Sequence, residues 1–108
     1  MSKYPDLKVG SHLIKVKAST NRQDGMLGMY SHHNKQIQLF PMEDSVESTD
    51  LQVYMHEVIH ALEDIYVGGL GTLEEHEVDQ LAEGFCQIMT DNPKLRKLFD
   101  VKQKNTRR

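Results

Sequence analysis

Residues 50–65, "DLQVYMHEVIHALEDI", decide the fold prediction for this chain. Apolar side chains recur at spacings of three and four residues, at Leu51, Tyr54, Met55, Val58, Leu62 and Ile65. This period is typical of a helix that buries one face. The pattern ends at the glycine-rich "VGGLG", so it predicts a first long helix over about residues 49–66.

The chain before this helix has the shorter period that is typical of strands. Residues 12–18, "HLIKVKA", are roughly alternating, and turn-forming residues follow them. Two further strand-like pieces, "MLGMYS" at 26–31 and "KQIQLF" at 35–40, flank the polar "HHN", which predicts a hairpin. We therefore expect a small antiparallel sheet of about three strands.

A second helix is predicted after Thr72, where "TLEE" is typical of a capping box. Its apolar stripe consists of Val78, Leu81, Ala82, Phe85, Ile88 and Met89 and ends at "DNP", residues 91–93. A sheet followed by two main helices is an α+β fold. The 108 residues fit a single domain, 1–108, with a basic and flexible tail at 101–108.

Composition excludes several classes of partner. The net charge of −3 gives no general attraction to nucleic acid. Cys86 is the only cysteine, so no internal disulfide can form and a reducing compartment is expected. No apolar run approaches the length of a signal peptide or a membrane span. We expect a cytoplasmic protein that binds neither nucleic acid nor membrane.

The segment "HEVIH", residues 56–60, has the spacing of a metal-hydrolase site. On a helix, His56 and His60 lie one turn apart on the side away from the apolar stripe, so both imidazoles can bind one ion. Glu57 is offset from them and can reach a water held by that ion. Zinc lowers the pKa of such a water to about 7, and a nearby carboxylate can accept its proton.

The alternative interpretation of "HEVIH" is an ordinary polar helix face. With six histidines in the chain, a chance match to this pattern would arise in roughly one of forty such compositions. The position of the pattern in the middle of a well-patterned helix favours the metal site.

A zinc hydrolase needs a third protein ligand, and the acids of "TLEEHEVD", residues 72–79, are the candidates. Glu75 flanks the apolar face of the second helix, and Asp79 lies one turn further on, where it could accept a hydrogen bond from a liganding histidine. We choose Glu75. Glu77 stays an alternative, and Glu75 could instead complete the capping box of Thr72.

"HEVIH" followed by "LEEHEVDQLAEGFCQIMTDNP", residues 73–93, resembles the small zincin-like metallopeptidases of phages and prophages, relatives of the ImmA-like and IrrE-like group. The resemblance implies a minimal zincin-like fold of the gluzincin style. It implies His56, His60 and Glu75 as zinc ligands and Glu57 as the general base. The implied activity is hydrolysis of a peptide bond by a zinc-bound water that Glu57 activates.

The resemblance also implies a partner and a cleft. The substrate would be a protein or peptide, such as a repressor or a host factor, in the host cytoplasm if the chain is phage-encoded. The strand "KQIQLF" would border the cleft, where Gln36, Gln38 and Phe40 could line it, or it would be an ordinary edge strand. An oxyanion would need a polar side chain over the metal, and no spacing selects among Tyr30, His32, His33, Tyr54 and Tyr66.

Two other functions fit the same residues. In a non-catalytic binding module, the metal would join the two helices and a regulatory protein would be the partner. A metal-dependent hydrolase acting on nucleic acid is less favoured, because the chain is acidic and lacks interleaved basic and aromatic residues.

Overall fold

The computed structural model describes residues 4–19, 25–41 and 47–106. Within these ranges the strands are β1 (Leu7–Val9), β2 (His12–Ala18), β3 (Gly28–Ser31) and β4 (Gln36–Leu39). The helices are α1 (Glu47–Leu62), α2 (Glu75–Asp91) and α3 (Pro93–Thr106), and α1 continues directly into a π-helix, Glu63–Val67. The α+β prediction is confirmed.

The sheet is mixed and has the strand order β1-β2-β4-β3. The predicted hairpin forms, with β3 antiparallel to β4, but β4 runs parallel to β2. The prediction of a purely antiparallel sheet of about three strands is therefore wrong. β1 was missed because three residues are too few to show a period, and the parallel pair arises because the hairpin returns with β4 against β2. β3 is left at the edge of the sheet.

The main core lies between this sheet and α1. Ile14 from β2 and Ile37 from β4 are completely buried, and Tyr54 of α1 packs with them. A second, smaller cluster joins α1 to α2 through Ile59, Val78 and Ala82. α1 therefore packs against the sheet and against α2, whereas Leu81, Phe85 and Ile88 of the predicted α2 stripe stay exposed. The polar face of α1 remains available for a site.

The start of α2 differs from the sequence prediction. Glu74 has extended dihedral angles and is the N-cap, and the backbone N–H of Glu74 donates to the Glu77 carboxylate at 2.8 Å, which completes a capping box. The predicted box of Thr72 and Glu75 is wrong, because the Thr72 hydroxyl donates to the Gly69 carbonyl at 2.6 Å. The Glu77 side chain is thus engaged in the helix cap. Glu75 is the first helical residue, and the cap does not use its side chain.

The third helix, α3, lies beyond the two main helices that the sequence predicts. It begins at Pro93, because proline is well suited to the first position of a helix, and it extends to Thr106. It includes residues 101–106, for which the sequence predicts a flexible tail. No helix within the described residues combines the length and the apolar character needed to cross a membrane.

Candidate metal centre

Three predicted ligands meet where α1 approaches the first turn of α2. Nε2 of His56 lies 3.2 Å from Oε1 of Glu75, and Nε2 of His60 lies 3.1 Å from Oε2 of the same carboxylate. One donor atom from each of the three residues lies within 4.8 Å of the other two. Two imidazoles and a carboxylate therefore lie close enough together that one metal ion could bind all three.

The second nitrogen of each imidazole is held by another carboxylate. His56 Nδ1 lies 2.6 Å from Asp79 Oδ1, and His60 Nδ1 lies 3.0 Å from Glu63 Oε1. With a metal bound at the two Nε2 atoms, each Nδ1 would donate its N–H to its carboxylate, which would fix the tautomer and the orientation of the ring. Asp79 thus lies where the sequence placed it, one turn beyond Glu75.

Glu63 is the partner that sequence reasoning did not select. It is fully buried, and its Oε2 accepts the Leu73 backbone N–H at 2.6 Å. Burial raises the pKa of Glu63, but hydrogen bonds from Leu73 and His60 outweigh that effect and leave the pKa below its usual value. Glu63 therefore ties His60 to the loop that leads into α2 and so to Glu75. Its only sequence signal is its position three residues after His60.

Glu57 lies beside the three ligands in a closed environment. The Glu57 residue as a whole is only 5% exposed. Burial raises its pKa to about 7, with His56 lowering it and the acids of α2 raising it. The edge strand covers it closely, since a Cβ added at Gly28 would lie 3.3 Å from the Glu57 carboxylate. A carboxyl group with a pKa near neutrality can both accept and return a proton.

A furrow passes the site along β3. It consists of two adjoining depressions of about 540 and 400 Å³, which share Gly28, His56 and Glu57 in their linings. The larger is also lined by Met26, Met29, Tyr30, His60, Leu70, Gly71, Leu73 and Glu75. The smaller is also lined by Leu27, Thr49, Gln52, Val53 and Asp79. The furrow is therefore open on both sides of the converging ligands.

The predicted cleft strand is wrong. Gln36, Gln38 and Phe40 line neither depression, and Phe40 is only 4% exposed. The reason is that β4 lies between β2 and β3 in the interior of the sheet. The edge strand beside the site is β3.

Tyr30 is the one oxyanion candidate that lines the furrow, judged over the described residues. Its hydroxyl already donates to Asp64 at 2.8 Å, and His32 Nδ1 and Lys35 Nζ also reach Asp64, at 2.8 and 3.0 Å. Burial raises the pKa of Asp64, but these three partners lower it to about 2 overall. The cluster fastens the β3–β4 hairpin to the π-helix. The other candidates, His33, Tyr54 and Tyr66, line neither depression.

The donor set fits zinc. Two imidazoles and a carboxylate, with hydrogen-bonded outer nitrogens, are the ligand type of catalytic zinc sites. The Glu75 side chain is 73% exposed, while each histidine side chain is 17% exposed. The three residues therefore leave a side of the site open to the furrow. The same donors also suit other divalent transition ions.

Comparisons with protein-family models, with curated protein sequences and with solved structures return no match to this chain. The family resemblance therefore depends on the quoted residues alone and stays a prediction.

Proposed function

We propose that the protein is a cytoplasmic zinc metallopeptidase that hydrolyses a peptide bond. The observation that supports this most is the convergence of His56, His60 and Glu75 beside the buried Glu57. Zinc at these residues would supply a Lewis acid and lower the pKa of a water molecule to about 7. Without the Glu75 carboxylate as a third ligand at this spacing, "HEVIH" would have remained a polar helix face.

Glu57 is the proposed general base. Glu57 is buried, lies close to Gly28 of the edge strand, and lines the furrow together with His56. In the proposed reaction it accepts a proton from the attacking water and delivers that proton to the leaving nitrogen of the peptide. Asp79 and Glu63 act through the histidines, because they fix the ring tautomers and orientations.

An extended peptide is the substrate that suits the furrow. β3 is an edge strand, and Gly28, Met29 and Tyr30 line the furrow, so a peptide could pair with this edge. The rims carry exposed apolar side chains, with Met26, Leu27 and Leu70 at 44%, 38% and 46% exposure. We propose that apolar residues flank the cleaved bond in a protein substrate, for which a repressor or a host factor is a candidate.

The test is cleavage of a fluorogenic peptide library and of candidate host extracts by zinc-loaded protein. Glu57→Gln keeps the size of the side chain and removes the base, so cleavage should fall by at least about a hundredfold while zinc stays bound. Glu83→Gln, an exposed acid of α2, is the matched control and should cleave normally. Absence of Glu57-dependent cleavage in zinc-loaded protein would refute the proposed activity.

A non-catalytic binding module is the second candidate. The observation that favours it is that the ligands come from both α1 and α2, so a metal would join the two helices. A binding module requires a metal whose coordination positions are all filled by protein, whereas a peptidase requires one open position. X-ray absorption spectroscopy of the zinc protein separates the two: four protein donors support the module, and three with an exchangeable oxygen support the peptidase.

A further inference from the structure

A second concave surface adjoins the metal centre, because Leu73 lines both this surface and the furrow and Glu63 also lines this surface. This apolar groove, of about 690 Å³, is lined from α1 by residues including Met55 and Val58, and from α2 by Leu81, Phe85 and Ile88. The three α2 side chains are 51%, 49% and 43% exposed. None of the predicted metal ligands lines it. An apolar concavity of this kind is typical of a surface that binds another protein segment.

The same chain also presents an unburied apolar stripe on α3. Leu95, Leu98 and Phe99 follow the spacing of one helix face. Leu98 is 61% exposed and Phe99 is 59% exposed. A helix of this pattern normally buries its stripe. Within the described part of the chain, the groove and the stripe are therefore two apolar surfaces that remain exposed.

The link between α2 and α3 prevents the stripe from reaching the groove of its own chain. Asn92 is the only residue between the two helices. Its side chain donates to the Ile88 carbonyl at 2.8 Å, and its own carbonyl accepts the Leu95 N–H at 3.0 Å. Antiparallel helix pairs need a connection of about two to five residues. α3 therefore cannot fold back onto α2 while this junction is intact.

The two helices differ in net charge. By sequence, α2 contains five acidic residues and no lysine or arginine. α3 contains five lysine or arginine residues and one aspartate. Glu75, Glu77 and Asp79 belong to the metal centre and the helix cap. Asp91 lies three residues after Ile88, and this spacing places it on the side of the groove. An acidic helix attracts a basic one, and a second copy of this chain supplies a basic helix with the apolar pattern that the groove requires.

We propose that the protein forms a two-fold dimer in which α3 of each copy lies in the apolar groove of the other. Such an arrangement is self-complementary, because each chain gives one helix and receives one. It buries Leu98 and Phe99 of both copies against Phe85 and its neighbours. The proposal does not depend on metal binding or on peptidase activity.

The test is the mass of the full chain by sedimentation, from about 1 µM to about 500 µM, together with variants of each surface. The wild type should sediment as a dimer of the 12.4 kDa chain. Leu98→Gln and Phe85→Gln should each weaken the dimer at least about tenfold. Both side chains are about half exposed or more in the single chain, so both variants should keep the wild-type circular dichroism. Asp100→Asn, on the opposite face of α3, is the matched control and should remain dimeric.

Mixing the two variants distinguishes this exchange from any other dimer. In a mixed pair, the unaltered α3 of Phe85→Gln lies in the unaltered groove of Leu98→Gln, so one of the two contacts is intact. Both altered side chains then lie in the other contact, where the second substitution costs less than the first because Leu98 and Phe85 touch each other in the proposed dimer. Mixed dimers should therefore form at concentrations where neither variant associates alone. A monomeric wild type, a dimer insensitive to both substitutions, or no recovery on mixing would each overturn the proposal.

Discussion

Replacing Glu63 by glutamine tests how a buried carboxylate prepares the metal centre. In the wild type, Oε2 accepts the Leu73 N–H at 2.6 Å and Oε1 is 3.0 Å from His60 Nδ1. Glutamine has one acceptor oxygen, and the short Leu73 contact will take it. The amide NH₂ then faces His60 Nδ1, which must become an acceptor. The ring proton moves to Nε2, the atom 3.1 Å from Glu75.

A protonated Nε2 cannot ligate a metal, so zinc binding requires the unfavourable tautomer or a rearranged side chain. Loss of such an orienting partner weakens metal binding by about 10- to 100-fold, which corresponds to about 1.4 to 2.7 kcal/mol. The fold should survive, because glutamine keeps the size of Glu63 and its hydrogen bond to Leu73.

The assay is competition for zinc with a chromophoric chelator at neutral pH, and circular dichroism verifies the fold. Glu83→Gln removes one exposed acid from α2 and should bind zinc like the wild type. A folded Glu63→Gln protein with wild-type zinc affinity would refute the argument that Glu63 sets the tautomer of His60.

Two further substitutions test the surroundings of the site. Asp64→Asn should lower the free energy of unfolding above about pH 4 and make it less sensitive to acid. Hydrogen bonds lower the pKa of Asp64 from 3.8 to about 2, so its contribution of up to about 2 kcal/mol is lost as the pH falls between these values. Urea unfolding at pH 7 and pH 3 measures this contribution. An unchanged pH dependence would contradict this. Gly28→Ala should destabilise the fold by about 1 to 3 kcal/mol, because its Cβ would lie 3.0 Å from a Val53 methyl and 3.3 Å from Glu57. Thermal unfolding measures this against Gly84→Ala, where a Cβ meets no atom within 4 Å, and equal effects would contradict it.

The helices and the hairpin could be predicted because their signals are local. The stripes of α1 and α2 recur over several turns, and the hairpin joins two strands across a short polar turn. The parallel pairing of β2 with β4 could not be predicted. It depends on how the chain crosses between these strands, and no short segment records that path. Because of this pairing, the edge strand beside the site is β3 and not the predicted β4.

Part of the site could likewise be predicted from local sequence, and part of it could not. "HEVIH" fixes two ligands by spacing on one helix, and Glu75 followed because Val78 had to face α1. The role of Glu63 could not be predicted, because its burial depends on Leu73 donating from the loop before α2. The start of α2 was misplaced by two residues for a related reason: Thr72 satisfies a turn with Gly69 and leaves the cap to Glu74.

Metal content is the most direct test of the central claim, measured by elemental mass spectrometry on tag-free protein purified without chelator. The metal centre proposed here predicts one zinc per chain in the wild type and in Glu77→Gln, whose side chain belongs to the helix cap. It predicts little or none in folded His56→Ala and Glu75→Ala. A wild type that takes up no metal when zinc is offered, or a Glu75→Ala protein that keeps its zinc while Glu77→Gln loses it, would contradict that centre.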